Sequence, residues 1–173
     1  MEEREREAEV SDADAAITDL YAAHYAGLVR LATLLLRNES MAEEIVQDAF
    51  VSLHRRWHKL RDPQKALGYL RTSVVHGTRS AQRRHKVAER NRPDPQPDSP
   101  SAEQAVLAGA AGEAVVEALR ALPRRQRETL VLRYYGGLSE SEIATAMKIS
   151  NGAVKSHASR GIAALRPLLE SWT

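Results

Sequence analysis

The sequence predicts an all-α protein: two small helical domains joined by a proline-rich linker. Apolar residues recur at spacings of three and four along most of the chain, the period of an amphipathic helix, and no strand-like alternation survives beside them. Aromatic residues are only 5% of a chain whose apolar share is 43%, which favours a core of Leu and Ala over an aromatic-rich sandwich. Residues 91–100 hold four prolines and no apolar side chain. Proline removes amide donors and disfavours helix in the preceding residue, so the segment reads as an extended linker.

The elements follow in order. Residues 1–16 carry seven acids against Arg4 and Arg6, and this acidic extension is expected to be disordered. The first domain, 17–90, opens with a stripe of Ile17, Leu20, Tyr21, His24, Leu28, Leu31 and Leu35. A second helix carries Ile45, Val46, Ala49, Phe50, Leu53, Trp57 and Leu60. Arg61, Asp62, Pro63 and Gln64 break it, and a third helix starts near Lys65 with Leu67, Leu70, Val74 and Val75 on one side. The linker is set at 91–101 and the second domain at 102–173. There, 105–122 is helical by propensity, with Gly109 and Gly112 loosening its start. Pro123 suits the first turn of a helix running through Leu130, Val131 and Tyr134, and Gly136-Gly137 supplies a left-handed stop. Ser139 and Glu142 have capping-box spacing before Ile143, Ala144 and Met147, and Ser150 caps a last helix with Val154 and Ile162. Each half has its own apolar stripes and is expected to fold around them.

Composition narrows the function. A chain of 173 residues is short for a multi-domain enzyme, and the absence of cysteine excludes disulfides, thiolate zinc sites and cysteine nucleophiles. No run of about 18 apolar residues appears, so no membrane insertion is expected. The acidic N-terminus lacks the apolar run of a secretory signal, which points to the cytoplasm. A net charge of +2 hides segregation: residues 54–92 hold twelve Lys or Arg against Asp62 and Glu89. Such a block suggests a polyanionic partner. His54 and His58 have metal-chelating spacing, but Arg55, Arg56 and Lys59 would repel a cation and no third ligand stands nearby. Glu43, Glu44 and Asp48 lack a nucleophile or a phosphate-cradling loop. No catalytic residue, metal or cofactor is expected, and the chain reads as a non-enzyme.

Residues 139–165 have helix-turn-helix punctuation. Ile143, the small Ala144, Met147, Ile149 and Val154 form the inner face. Asn151, Lys155, Ser156, Ser159 and Arg160 are left to face a major groove. Lys155 and Arg160 suit phosphates or guanine edges, and Asn151 and Ser156 offer hydrogen bonds. Such motifs usually carry glycine where Lys148 stands, because that residue often has positive φ. Lysine there either costs about 1 kcal/mol or marks a slightly different turn.

The run Met41-Ala42-Glu43-Glu44-Ile45-Val46-Gln47-Asp48-Ala49-Phe50 resembles a signature of bacterial sigma-70-family factors. Residues 137–144 and 150–156 resemble that family's C-terminal helix-turn-helix. With two such domains and a short linker, the chain is similar to the extracytoplasmic-function (ECF) group. Tyr69-Leu70-Arg71-Thr72 and the stretch 115–132 are similar to actinobacterial members. The resemblance spans roughly residues 17–169.

The resemblance implies a sigma factor that joins core RNA polymerase (the β and β′ subunits) and directs promoter-specific initiation. Glu43, Glu44, Val46, Gln47, Asp48 and Phe50 fall in the segment that docks on the β′ coiled coil, with the apolar members packing inward. The loop 61–66, with Arg61, Gln64 and Lys65, corresponds to the segment that captures a flipped −10 base. Tyr69, Arg71, His76, Arg79, Arg83 and Arg84 follow on the helix that faces −10 DNA, where Tyr69 or Trp57 offers a stacking surface. Asn151, Lys155, Ser156, Ser159 and Arg160 fall on the helix that reads the −35 element. An anti-sigma factor is left open as a further partner. The chain departs from the family at His76, where many members have asparagine, and at Ser159, where a large side chain is common. The rival reading is a stand-alone helix-turn-helix regulator whose first domain binds a ligand or dimerises.

Overall fold

The computed structural model describes residues 2–36, 38–90 and 110–170; the linker and the start of the second domain, including Gly109, lie outside the described residues. Every regular element described is helical. Helix α1 spans Glu2–Leu36 and α2 Glu39–Arg56. The turn between them is short because Asn38 caps α2, its side-chain oxygen accepting from Met41 N at 3.0 Å. The two helices therefore run back along each other. Tyr21 and Tyr25 stack with centroids 4.4 Å apart, and Phe50 lies 5.0 Å from Tyr21.

The helix extends to Glu2, through the stretch read from the sequence as a disordered extension. Glu, Arg and Ala are strong helix formers, and extending an existing helix avoids the cost of nucleation. Ala13 is buried, and Asp14 Oδ1 lies 2.8 Å from His54 Nε2 on α2.

After α2 the chain makes a 3₁₀ turn at Trp57–Lys59 and another at Pro63–Lys65, then enters α3, Ala66–Arg90. Asp62 caps the second turn, accepting from Gln64 N at 3.0 Å. Leu28, Leu31 and Ala32 of α1 pack with Val46 and Leu53 of α2 and with Leu70 and Val74 of α3. A Cβ on Gly77 would fall 2.6 Å from Ile45 Cγ2, so this glycine sets how closely α3 approaches α2.

The second domain contains α4 (Ala110–Ala121), α5 (Arg124–Leu130), α6 (Glu140–Met147) and α7 (Asn151–Glu170). Pro123 precedes α5 as its N-cap residue in an extended conformation, one position earlier than the sequence suggests. α5 runs into a π-helical turn at Val131–Tyr135. The wider turn shifts the register, so Tyr134 faces solvent instead of the core face read from periodicity. Gly137, at φ 65°, then turns the chain, the left-handed stop falling on the second glycine of the pair.

The halves do not keep separate cores. Leu28 and Leu31 belong to the same contiguous apolar cluster as Val131, Leu132, Leu138, Ile143, Met147 and Val154. A smaller satellite joins Leu122, Leu130 and Ala158.

The turn between α6 and α7 decides the lysine question. Lys148 adopts φ 54° and ψ 50°, fully left-handed, and Ile149 N donates to Ala144 O at 3.0 Å across it. The turn keeps its usual geometry and the lysine bears the strain. Lys148→Gly should therefore raise stability by roughly 0.5–1 kcal/mol, measured by denaturant unfolding. A loss of stability would mean that the lysine makes a compensating contact.

Lys148 also faces α3. Partial desolvation against its neighbours, then the charges of Lys148, Arg79 and Arg83, hold the largely exposed His76 imidazole below its ordinary 6.5. The unfolded chain binds that proton more tightly, so the contribution is intact above pH 6.5 and is lost as the pH falls below it. His76→Asn should flatten this part of the stability profile. Identical wild-type and variant profiles under acid would contradict the assignment.

Candidate nucleic-acid interface

On α2 the helical period separates two kinds of candidate residue. Val46 and Phe50 are buried in the core, while Glu43, Glu44, Gln47 and Asp48 are exposed. Four polar side chains thus stand on a surface whose backing is rigidly packed. At the C-terminal end of α2, His54, Arg55 and Arg56 complement the helix dipole.

Arg61, Gln64 and Lys65 are exposed around the Asp62-capped turn. Tyr69 and Trp57 are half-buried and packed against the core, which limits the face either ring presents. His76, Arg83 and Arg84 of α3 are exposed, and Arg83 donates to Ser80 Oγ at 3.0 Å. Arg71 and Arg79 are half-buried and turn toward the second domain. Arg79 Nη1 donates to Ala146 O, the penultimate carbonyl of α6, at 2.9 Å.

α6 starts with a complete capping box. Ser139 N donates to Glu142 Oε2 at 2.7 Å, and Glu142 N donates to Ser139 Oγ at 3.3 Å. The backbone bond from Ser139, followed by its side-chain bond and the nearby charge of Arg71, holds the Glu142 carboxyl below its ordinary value. Ser150 Oγ accepts from Ala153 N at 3.1 Å and caps α7. Val154, Ala158 and Gly161 of α7 turn inward. Asn151, Lys155, Ser159 and Arg160 are exposed, and Ser156 is half-buried. The four exposed side chains line successive turns of one capped helix, as a major-groove reader requires.

Residues outside the sequence-derived set join this face. Arg133, Tyr134 and Arg166 share a groove with Glu140, Lys155 and Ser159. Tyr134 is 66% exposed, with the Arg133 guanidinium 5.9 Å above its ring. Lys155 Nζ lies 3.7 Å from Glu140 Oε1. The one available signal was an Arg-Tyr-Tyr run before the double glycine, but a regular helical period assigns Tyr134 to the core. Among the described residues no three His, Asp or Glu gather as metal ligands, and no helix is long and apolar enough to cross a membrane.

Both halves of the chain resemble known proteins. Sigma-70 region 2 matches residues 20–87, and Sigma-70, region 4 matches residues 112–165. The RNA polymerase sigma-E factor of Streptomyces avermitilis is 32% identical over 148 residues, covering 83% of this chain and 79% of that protein. The ECF RNA polymerase sigma factor SigM of Mycobacterium tuberculosis is 30% identical, covering 89% of this chain and 77% of that one. Among solved structures, the sigma factor RpoE of Bartonella quintana, in complex with the anti-sigma factor NepR, shares the fold with a TM-score of 0.64 at 20% identity. That match covers 88% of this chain and 95% of the other. With both regions present in order and relatives matched across most of their length, the chain belongs to the sigma-70 family of RNA polymerase sigma factors, in its ECF group.

Proposed function

We propose that the chain works in the cytoplasm as a promoter-specificity subunit and carries out no chemistry of its own. Glu43, Glu44, Gln47 and Asp48 dock on the β′ subunit of core polymerase, while Val46 and Phe50 hold that face in place from behind. The loop bearing Arg61, Gln64 and Lys65 takes a −10 base from the opening duplex. Tyr69, Arg71, His76, Arg79, Arg83 and Arg84 of α3 follow the unpaired strand. Asn151, Lys155, Ser156, Ser159 and Arg160 of α7 read the −35 duplex, with Arg133, Tyr134 and Arg166 extending that surface. An anti-sigma factor is a further partner, since the Bartonella quintana relative was solved with one.

The observation that carries this reading is the exposed face of α7. Four side chains suited to phosphates and base edges stand on one helix, capped by Ser150 and set in place by the left-handed Lys148 turn. A ligand-sensing regulator would need no basic α3 beside such a helix.

Two outcomes test the assignment. The Gln47→Ala/Asp48→Ala double variant should lose capture of core polymerase while keeping its helical circular dichroism, because both side chains are exposed. Unchanged capture would remove α2 from the docking face.

Lys155→Ala and Arg160→Ala should each weaken −35 recognition in holoenzyme. A bidentate guanine contact costs about 1–3 kcal/mol and shows base selectivity, whereas a lost phosphate contact weakens all sequences alike. A single recognition helix buries little surface, so the chain alone should bind duplex DNA weakly and with steep salt dependence. Core polymerase supplies the missing affinity by holding both domains at promoter spacing. Tight, sequence-specific gel shifts by the free chain would favour the stand-alone regulator instead.

A further inference from the structure

The groove beside α7 is lined by the second domain alone and takes no part in the seam at which the two halves share a core. Arg133, Lys155 and Arg166 give it three cations, and Glu140 is the one carboxylate among the described residues that line it. Such a surface meets a polyanion, so an acid placed there works against affinity. The capping of α6 does not account for it. Glu142 closes the capping box with Ser139, and Glu140, the first residue of α6, makes neither of those two bonds. What it meets is Lys155, whose Nζ lies 3.7 Å from the carboxylate Oε1. The Glu140 side chain is 28% exposed against 71% for the lysine, so the acid is the fixed partner and the lysine the mobile one.

We propose that Glu140 is a positioning residue for specificity: it holds the Lys155 ammonium off the phosphate backbone and leaves it for the edge of a guanine. The proposal rests on the reading of α7 as the −35 helix. Lysine is a compact charge on a flexible stem and by itself takes phosphates of any sequence. An ammonium has three N–H donors, and one directed to Glu140 leaves two for guanine O6 and N7. Those acceptors are neutral and tolerate a carboxylate beside the same ammonium. A phosphate is anionic, so it competes for the same donors and is repelled by Glu140. The acid thus penalises the contact that carries no sequence information more than the one that does. Arg133 lies over the Tyr134 ring at 5.9 Å, a contact that leaves its charge for the backbone. An exposed pair of this length is weak, which suits a tether that DNA must be able to share.

Glu140→Gln removes the charge and keeps the side-chain length. On a duplex of random sequence, the full-length variant without polymerase should bind about threefold more tightly, with a log–log salt slope steeper by about one, because Lys155 then reaches a phosphate. Made in a Lys155→Ala background, the same substitution should change affinity less than about twofold. In holoenzyme, over promoters carrying each base pair in turn at the −35 element, Glu140→Gln should lower discrimination at a single position by about threefold. Affinity and stability that fall together on every sequence would make Glu140 a helix-end acid only and overturn the proposal. A gain of affinity that persists without Lys155 would mean simple repulsion of DNA and overturn it as well. If Lys155→Ala leaves promoter choice unchanged, the −35 reading fails, and the random duplex still decides whether Glu140 governs Lys155.

Discussion

The structure depends on where a small helical chain finds enough apolar surface to bury. A domain of seventy residues has a high ratio of surface to volume and little stability to spare. Leu28 and Leu31 ease that limit by packing in a cluster that reaches Leu132, Leu138 and Met147 in the other half. The arrangement of the two domains is therefore part of the stability, and so is the access of any partner to the surfaces between them. Separating them exposes apolar side chains that a partner must cover or that the cell must tolerate.

What was legible in the sequence was local. The capping box of Ser139 and Glu142, the Ser150 cap and the inward-facing Val154 follow from spacing alone, because each involves residues within one turn. The exposed and buried members of residues 43–50 on α2 were legible for the same reason. The acidic start of α1 was misread because charge density was given more weight than the helix propensity of Glu, Arg and Ala. Tyr134 was misread because a π-helical turn breaks the period on which the reading rests. The seam was not legible at all. Periodicity shows that Leu31 is buried but not what buries it, and nothing near Arg79 in the sequence announces a bond to a residue 67 positions away.

Charge is used twice in this molecule. α3 concentrates arginines suited to an extended polyanion, yet one of them, Arg79, meets a helix C-terminus and the Glu128 field within the folded chain. The two uses compete because both supply negative potential to one guanidinium. An intramolecular acceptor has the advantage of proximity, and a promoter has the advantage of many phosphates presented together.

The Lys148 turn shows how closely orientation and strain are linked here. A glycine would relieve the left-handed backbone, but it would remove a cation that stands between α3 and the start of α7. In the folded chain that cation works against a charged His76. The strain at Lys148 and the like charge across the seam act in the same direction. Both offset part of the apolar attraction that holds the two halves together.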